Sequence, residues 1–155
     1  MALTRPILYT TVAFDASQEH LFSFNVIGGD QVIKNRLTII RQSDNSIVYQ
    51  EIQEGFVYAH RLPANTLTNG IYYSAYIETY NSLEEISSPS SNIQFYCYTT
   101  PTFVFQNLPV SRIIENSSYN FEIYYNQDEN EILNSYIFNL YNKIFGDKNE
   151  DFNYW

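Results

Sequence analysis

The chain has 155 residues, which allows one ordinary domain with a core, or one small domain and part of another. Its formal net charge of −9 disfavours nucleic acid and anionic membranes as partners, because both are bound through clustered Lys and Arg. The 15 Tyr and 11 Phe residues favour pleated, half-buried surfaces, so β structure is expected.

The single cysteine, Cys97, excludes an internal disulfide and a multi-cysteine zinc site. Residues 1–6 contain no apolar run of signal-peptide length, and no stretch reaches the roughly 20 apolar residues of a membrane span. We therefore expect a protein that folds in the cytoplasm, is stabilised by packing and uses no cofactor.

Short runs of alternating apolar and polar residues, separated by turn residues, predict antiparallel strands. The turns include Gly28-Gly29-Asp30, residues 43–46 and Asn69-Gly70. Strands are predicted at 8–14, 21–27, 32–41, 47–53, 71–80 and 92–98. Six or seven strands in about 90 residues favour a two-sheet sandwich.

A family resemblance appears in the second half of this region. Leu67 precedes Tyr73 by six residues, and an alternating strand, a Ser/Pro loop at 87–91 and a final strand ending at Thr100-Pro101 follow. This order resembles the last two strands of a fibronectin type III domain. The resemblance extends over residues 6–100 and implies an all-β fibronectin type III/immunoglobulin-like sandwich.

The resemblance also implies structural roles for two residues, Leu67 and Tyr73. A buried Tyr73 needs a partner for its hydroxyl, which the tyrosine corner of such sandwiches supplies. The family usually has a Trp on its second strand, whereas this chain has none there, and we expect Phe22 or Phe24 to substitute for it.

Alternation along 71–80 places Tyr73 inward and a row of three tyrosines, Tyr72, Tyr76 and Tyr80, outward. Such a row can pack across strands, anchor a protein partner or stack on sugar rings. We predict a protein-binding face, with carbohydrate binding as the alternative.

Residues 101–155 predict a second, shorter β segment with strands at 101–105, 118–125 and 133–141. Its pattern is that of a weak second copy of the first segment. Since a sandwich needs around 90 residues, this segment is too short to close alone. We therefore predict a sandwich at 1–100 and a partial domain at 101–155. That domain is cut short, completed by a partner chain, or a small open sheet packed on the first domain.

Candidate reactive groups are few. His20 and His60 lie in no catalytic motif, so structural roles are expected for both. Cys97 is predicted to be a small core residue. The acidic stretches 128–131 and 147–151 offer oxygens for calcium but lack the EF-hand pattern, and solvated loops explain them equally well. We predict no catalytic and no metal-binding residue, and hence no enzyme.

Tandem fibronectin-like segments rich in Tyr, Asn, Ile and Ser, beginning at Met and lacking a secretion signal, resemble minor structural proteins of bacteriophage tails and baseplates. This resemblance implies a virion protein assembled in the host cytoplasm, in contact with other virion proteins or with copies of itself as a homo-oligomer. The alternative is a carbohydrate- or receptor-binding fibronectin-like module of a larger surface protein.

Overall fold

The computed structural model describes residues 2–111, 113–142 and 150–154, and these form strands, turns and loops without any helix. The chain divides into two compact units. The first unit runs to Thr102 and includes Asn126–Glu129, and the second comprises Phe103–Tyr125 with the described residues from Asn130 onward.

The strands of the first unit are β1 (Ile7–Leu8), β2 (Ala13–Phe14), β3 (His20–Asn25), β4 (Lys34–Arg41), β5 (Ile47–Glu54), β6 (Ala59–Leu62), β7 (Ile71–Tyr80) and β8 (Ile93–Cys97). They form two sheets, a three-stranded one in the order β1-β3-β6 and a five-stranded one in the order β2-β8-β7-β4-β5. All pairs are antiparallel except β2 with β8. The predicted all-β sandwich is confirmed.

Hydrophobic side chains from both sheets form one core between them. Phe22 is fully buried, with its ring centroid 5.4 Å from that of Phe95 and 5.9 Å from that of Phe14. Phe22 and Phe24, the residues expected to substitute for the family's Trp, are both buried. The other core residues are Leu8, Ala16, Phe24, Leu37, Ile39, Leu62, Leu67, Tyr73, Ala75, Ile77, Ile93 and Cys97.

Tyr73 fixes the turn that precedes its own strand. Its ring is buried and stacks 5.8 Å from the ring of Phe95. Its hydroxyl accepts a hydrogen bond from the Thr68 N–H at 3.1 Å and donates one to the Thr68 carbonyl at 3.3 Å. With Leu67 buried beside it in the same core, this is the geometry of a tyrosine corner.

In the first unit one predicted strand was wrong and one observed strand was not predicted. Residues 8–14 form two short strands in different sheets, because the chain crosses the edge of the sandwich after Leu8 and pairs again only at Ala13. The strand Ala59–Leu62 was not predicted, because one of its two inward positions is occupied by a polar residue, His60, so its alternation is not apolar.

The second unit contains two separate two-stranded sheets. β9 (Thr102–Phe105) pairs with β10 (Ile123–Asn126), and β11 (Phe138–Asn142) pairs antiparallel with β12 (Glu150–Tyr154). The terminal residues of β9 and β10, Thr102 and Asn126, belong to the first unit. β12 was not predicted from the sequence.

The segment Asn126–Glu129 packs against the end of β8. The Glu129 carboxylate accepts hydrogen bonds from the Thr99 N–H at 2.9 Å and from the Thr99 hydroxyl at 2.7 Å, and Gln127 donates to the Thr99 carbonyl at 3.0 Å. Burial acts to raise the pKa of Glu129, but these bonds outweigh it and lower the pKa. The carboxylate form therefore makes the contact.

Asp15 links three loops by hydrogen bonds at the end of the sandwich where β8 ends. Its carboxylate accepts hydrogen bonds from Asn69 at 3.0 Å, from the Thr100 N–H at 2.7 Å and from the Ser17 N–H at 2.9 Å. Burial acts to raise the pKa of Asp15, and the hydrogen bonds, led by that from Asn69, lower it well below its usual range. Three loops are thus joined by one ionised side chain.

We expect the substitution Tyr73→Phe to lower the free energy of unfolding of the first unit by about 1–3 kcal/mol, because it leaves the Thr68 N–H without its partner. Urea denaturation followed by circular dichroism measures the change. The matched control Tyr72→Phe alters an exposed residue and should change stability by less than about 0.5 kcal/mol. Equal effects of the two substitutions would contradict the role assigned to the Tyr73 hydroxyl.

We expect Glu129→Ala to speed hydrogen exchange of the Thr99 amide, since that amide loses its acceptor. Asp128→Ala alters an exposed carboxylate of the same segment and serves as the control. Residue-resolved exchange by NMR makes the comparison. An unchanged Thr99 exchange rate in Glu129→Ala would show that the contact is absent in solution.

Candidate functional site

The outer face of the five-stranded sheet carries the predicted tyrosines. Tyr72 is 61% exposed, and its ring centroid lies 4.6 Å from that of Tyr96 on the neighbouring strand. Tyr76, four residues further along β7 on the same face, is half-buried. Tyr72 and Tyr96 thus form an aromatic pair on a solvent-facing surface, with an apolar body and polar hydroxyls.

Tyr80 does not extend this exposed row. Its ring is only 9% exposed and is covered by two cations of β4, with the Lys34 Nζ 5.6 Å and the Arg36 guanidinium carbon 5.9 Å from the ring centroid. Cations at this distance are attracted to the face of an aromatic ring. The alternation along β7 predicted that Tyr80 points outward. It could not predict that side chains of another strand, β4, cover the ring.

Arg36 is itself held in place by a carboxylate. Its Nε and Nη2 donate to the same Glu78 oxygen at 2.9 and 2.7 Å, and both side chains are partly buried. The bonds to Glu78 raise the pKa of Arg36. This end of the outer face is therefore polar and internally paired, and the accessible aromatic part of the sheet is limited to the pair of Tyr72 and Tyr96 with Tyr76.

His60 lies in the interior with both ring nitrogens bonded. Nδ1 lies 2.6 Å from the Asn35 Oδ1, and Nε2 lies 3.0 Å from the Tyr49 hydroxyl. Since the amide oxygen only accepts, Nδ1 carries the proton and Nε2 accepts from Tyr49. Burial lowers the pKa of His60 to about 4. The group is a neutral core histidine with no open position for a substrate.

The other candidate reactive groups are a half-buried histidine and a buried cysteine. The His20 ring stacks on Phe14 with centroids 3.9 Å apart, and its Nε2 lies 3.3 Å from the Thr11 hydroxyl. Cys97 is in the core as predicted, and burial raises the pKa of its thiol to about 12. A thiol with that pKa is not a nucleophile at neutral pH.

No metal site is formed by the described residues: no three His, Cys, Asp or Glu side chains among them are grouped to hold an ion. In the candidate stretch 128–131, Glu129 is engaged by Thr99. Residues 147–149 of the other candidate stretch lie outside the described residues. Within the same described ranges, no helix has the length and apolar character needed to cross a bilayer.

The second unit presents an accessible apolar surface. None of the apolar side chains that the structure describes in this unit is buried. A cavity of about 650 Å³ opens among them, with an aromatic lining. Its lining residues are Phe103, Phe105, Ile123, Tyr136, Ile137 and Phe138, with Ser135 and Asn139.

Aromatic contacts hold this surface loosely together. Phe138 lies 4.8 Å from Phe121 and 6.2 Å from Phe105, measured between ring centroids, and Phe103 lies 5.3 Å from Tyr125. The two strand pairs contribute rings to the same cluster, but each sheet has only two strands among the described residues, so much of the apolar surface stays accessible.

Comparisons with known proteins bear on the fold alone. No protein-family model and no curated protein matches the chain. A solved chain described as "Myokine structure" is similar to it with a TM-score of 0.50 and 11% sequence identity. The match covers 62% of this chain and 98% of the other. At that identity the similarity supports the β-sandwich architecture and nothing about activity.

We expect His60 to make stability pH-dependent. Its pKa is about 6.5 in an unfolded chain and about 4 in the fold. The stability that the fold gains from keeping His60 neutral is fully present above pH 6.5. It is lost as pH falls through 4, by at most about 3 kcal/mol.

Two measurements check this pH dependence. Between pH 6.5 and 4, the free energy of unfolding should fall more steeply in wild type than in His60→Gln. The carboxylates are common to both chains, so the difference in slope reports His60. NMR titration of the native protein should give a His60 pKa near 4. A native value near 6.5 would contradict the buried, neutral state.

Proposed function

We propose that this protein is a non-enzymatic structural component of a larger assembly and acts through protein–protein contacts of its second unit. The observation that carries the proposal is the contrast between the two units. The first unit closes a core between two sheets, whereas the second buries none of the apolar side chains described in it. Apolar surface of this extent is stabilised by a partner.

The assembly that fits the sequence best is a bacteriophage virion, with the protein in the tail, the baseplate or a connector. Support comes from the resemblance of its composition to minor tail proteins and from the fibronectin type III-like sandwich. Partners in this proposal are other virion proteins or copies of the same chain.

The runner-up function is carbohydrate or receptor binding by the first unit. The pair of Tyr72 and Tyr96 favours it, because an exposed aromatic pair is a stacking platform for a sugar ring. However, the side chain of the adjoining Gln42 is used internally, since its amide donates to the Tyr73 carbonyl at 3.2 Å. A sugar site needs free hydrogen-bonding groups beside the ring, so the protein-contact function ranks first.

We expect the intact chain to associate with itself or with the products of neighbouring genes. Size-exclusion chromatography with light scattering should show a mass above that of the monomer, increasing with concentration. Phe105→Ser, in the lining of the cavity, should weaken the association by about tenfold or more, because it removes an aromatic anchor. Val12→Ser is the matched control, since Val12 is an exposed apolar residue of the first unit.

Several results would replace this proposal. A chain that remains monomeric and forms no complex with those gene products contradicts it. A monomer that binds on a glycan array, and loses that binding in Tyr72→Ala, establishes the alternative. The identity of the neighbouring genes bears on the virion assignment separately, since portal, tape-measure or lysis genes beside this one support it.

A further inference from the structure

One end of the first unit collects three loops. Lys34 pairs with Glu54 and with Tyr80, so the start of β4, the end of β5 and the end of β7 lie side by side. The loops that adjoin these ends are the β3–β4 loop (26–33), the β5–β6 loop (55–58) and the β7–β8 loop (81–92). We call this surface the loop end.

Adjacent strands are about 5 Å apart, so the three strands beneath the loop end span only about 10 Å. Hydrogen bonds join the loops directly. The Gly55 N–H donates to the Ile33 carbonyl at 2.8 Å, and the Asn81 amide donates to Asp30 at 3.2 Å and to Glu85 at 2.7 Å. Hydrogen bonds between its loops therefore hold the loop end in a defined conformation.

Asn81 also organises its own loop. It is buried, and its Oδ1 accepts hydrogen bonds from the N–H groups of Leu83 and Glu85, both at 3.0 Å. Glu84 adopts a left-handed conformation with φ of 61° and reaches back to Lys34, with Nζ and Oε2 2.6 Å apart. These bonds hold the Leu83 side chain out toward solvent.

Four large apolar side chains project from the loop end. Each is between 67% and 75% exposed, one on the β3–β4 loop, two on the β5–β6 loop and one on the β7–β8 loop: Ile27, Phe56, Val57 and Leu83. Single exposed apolar residues are ordinary, but several on adjoining loops mark an interaction site. Core packing does not explain these four, since none of them belongs to the core.

The charge around these side chains is mainly negative. The carboxylates are Asp30, Glu54, Glu84 and Glu85, and the cations are Lys34 and Arg5. Lys34 is used by Glu84, and Arg5 donates from Nε to the Pro89 carbonyl at 2.7 Å. An acidic rim around apolar side chains complements a surface of opposite charge.

We infer that the loop end binds a protein segment in which apolar residues are flanked by Lys or Arg. The apolar tips supply the buried centre of the contact and the carboxylates its polar rim. This surface lies in the first unit and does not depend on the association proposed for the second.

Two other occupants fit the loop end less well. A second copy of the chain brings the same carboxylates against each other, and like charges in an interface are costly. An anionic membrane is repelled by the acidic rim. The charge pattern therefore selects a basic protein segment, and the other two become outcomes of the test.

Selection from a random-peptide library against the intact chain tests this inference. We expect the enriched peptides to combine aromatic or aliphatic residues with Lys or Arg. Their binding should weaken by about tenfold or more in Val57→Ser and in Leu83→Ser, and it should weaken as salt is added. Val12→Ser, which alters a residue that is 78% exposed beside the other end of β8, should bind as wild type does.

Each contrary result overturns the inference. Failure to enrich any peptide, enrichment of uncharged or acidic peptides, or binding indifferent to both loop substitutions shows that the loop end is not this site. Sedimentation with phosphatidylcholine vesicles that requires Val57 and Leu83 would assign it to a bilayer. Loss of self-association in the loop variants would assign it to a second copy, whereas Phe105→Ser tests the second unit alone.

Discussion

The register of β7 is the constraint on which the rest of the first unit depends. Tyr73 can reach the Thr68 backbone and stack on Phe95 only if it points inward. Because side chains alternate along a strand, a slip of one residue would bury Tyr72 and Tyr76 and expose Ala75 and Ile77. The corner therefore determines which residues form the core and which form the outer face.

The two units differ in how far they bury their apolar side chains. In the first, large rings from both sheets meet between them, so Phe14, Phe22 and Phe95 cover each other. In the second, two-stranded sheets share only a few rings among the described residues, and an isolated strand pair is marginal in water. This difference is why the proposed function assigns the protein contact to the second unit.

Sequence patterns predicted local features well and non-local ones poorly. The strand Ile71–Tyr80 was predicted with its correct ends, because its alternation is undisturbed and a turn precedes it. The burial of Tyr80 depends on Lys34 and Arg36, which are far away in sequence. His60 is similar: its burial requires hydrogen-bonding partners from β4 and β5, so no local pattern reveals the strand it occupies.

The net negative charge of the chain bears on how the loop end and the apolar face of the second unit meet partners. A chain with a formal charge of −9 that exposes apolar residues on both units needs protection against indiscriminate association. Carboxylates around the loop end supply it, since copies repel one another there while a basic partner is attracted. The contact proposed for the second unit depends instead on shape and burial. In these two proposals, charge selects the partner at the loop end, and exposed apolar side chains select it at the second unit.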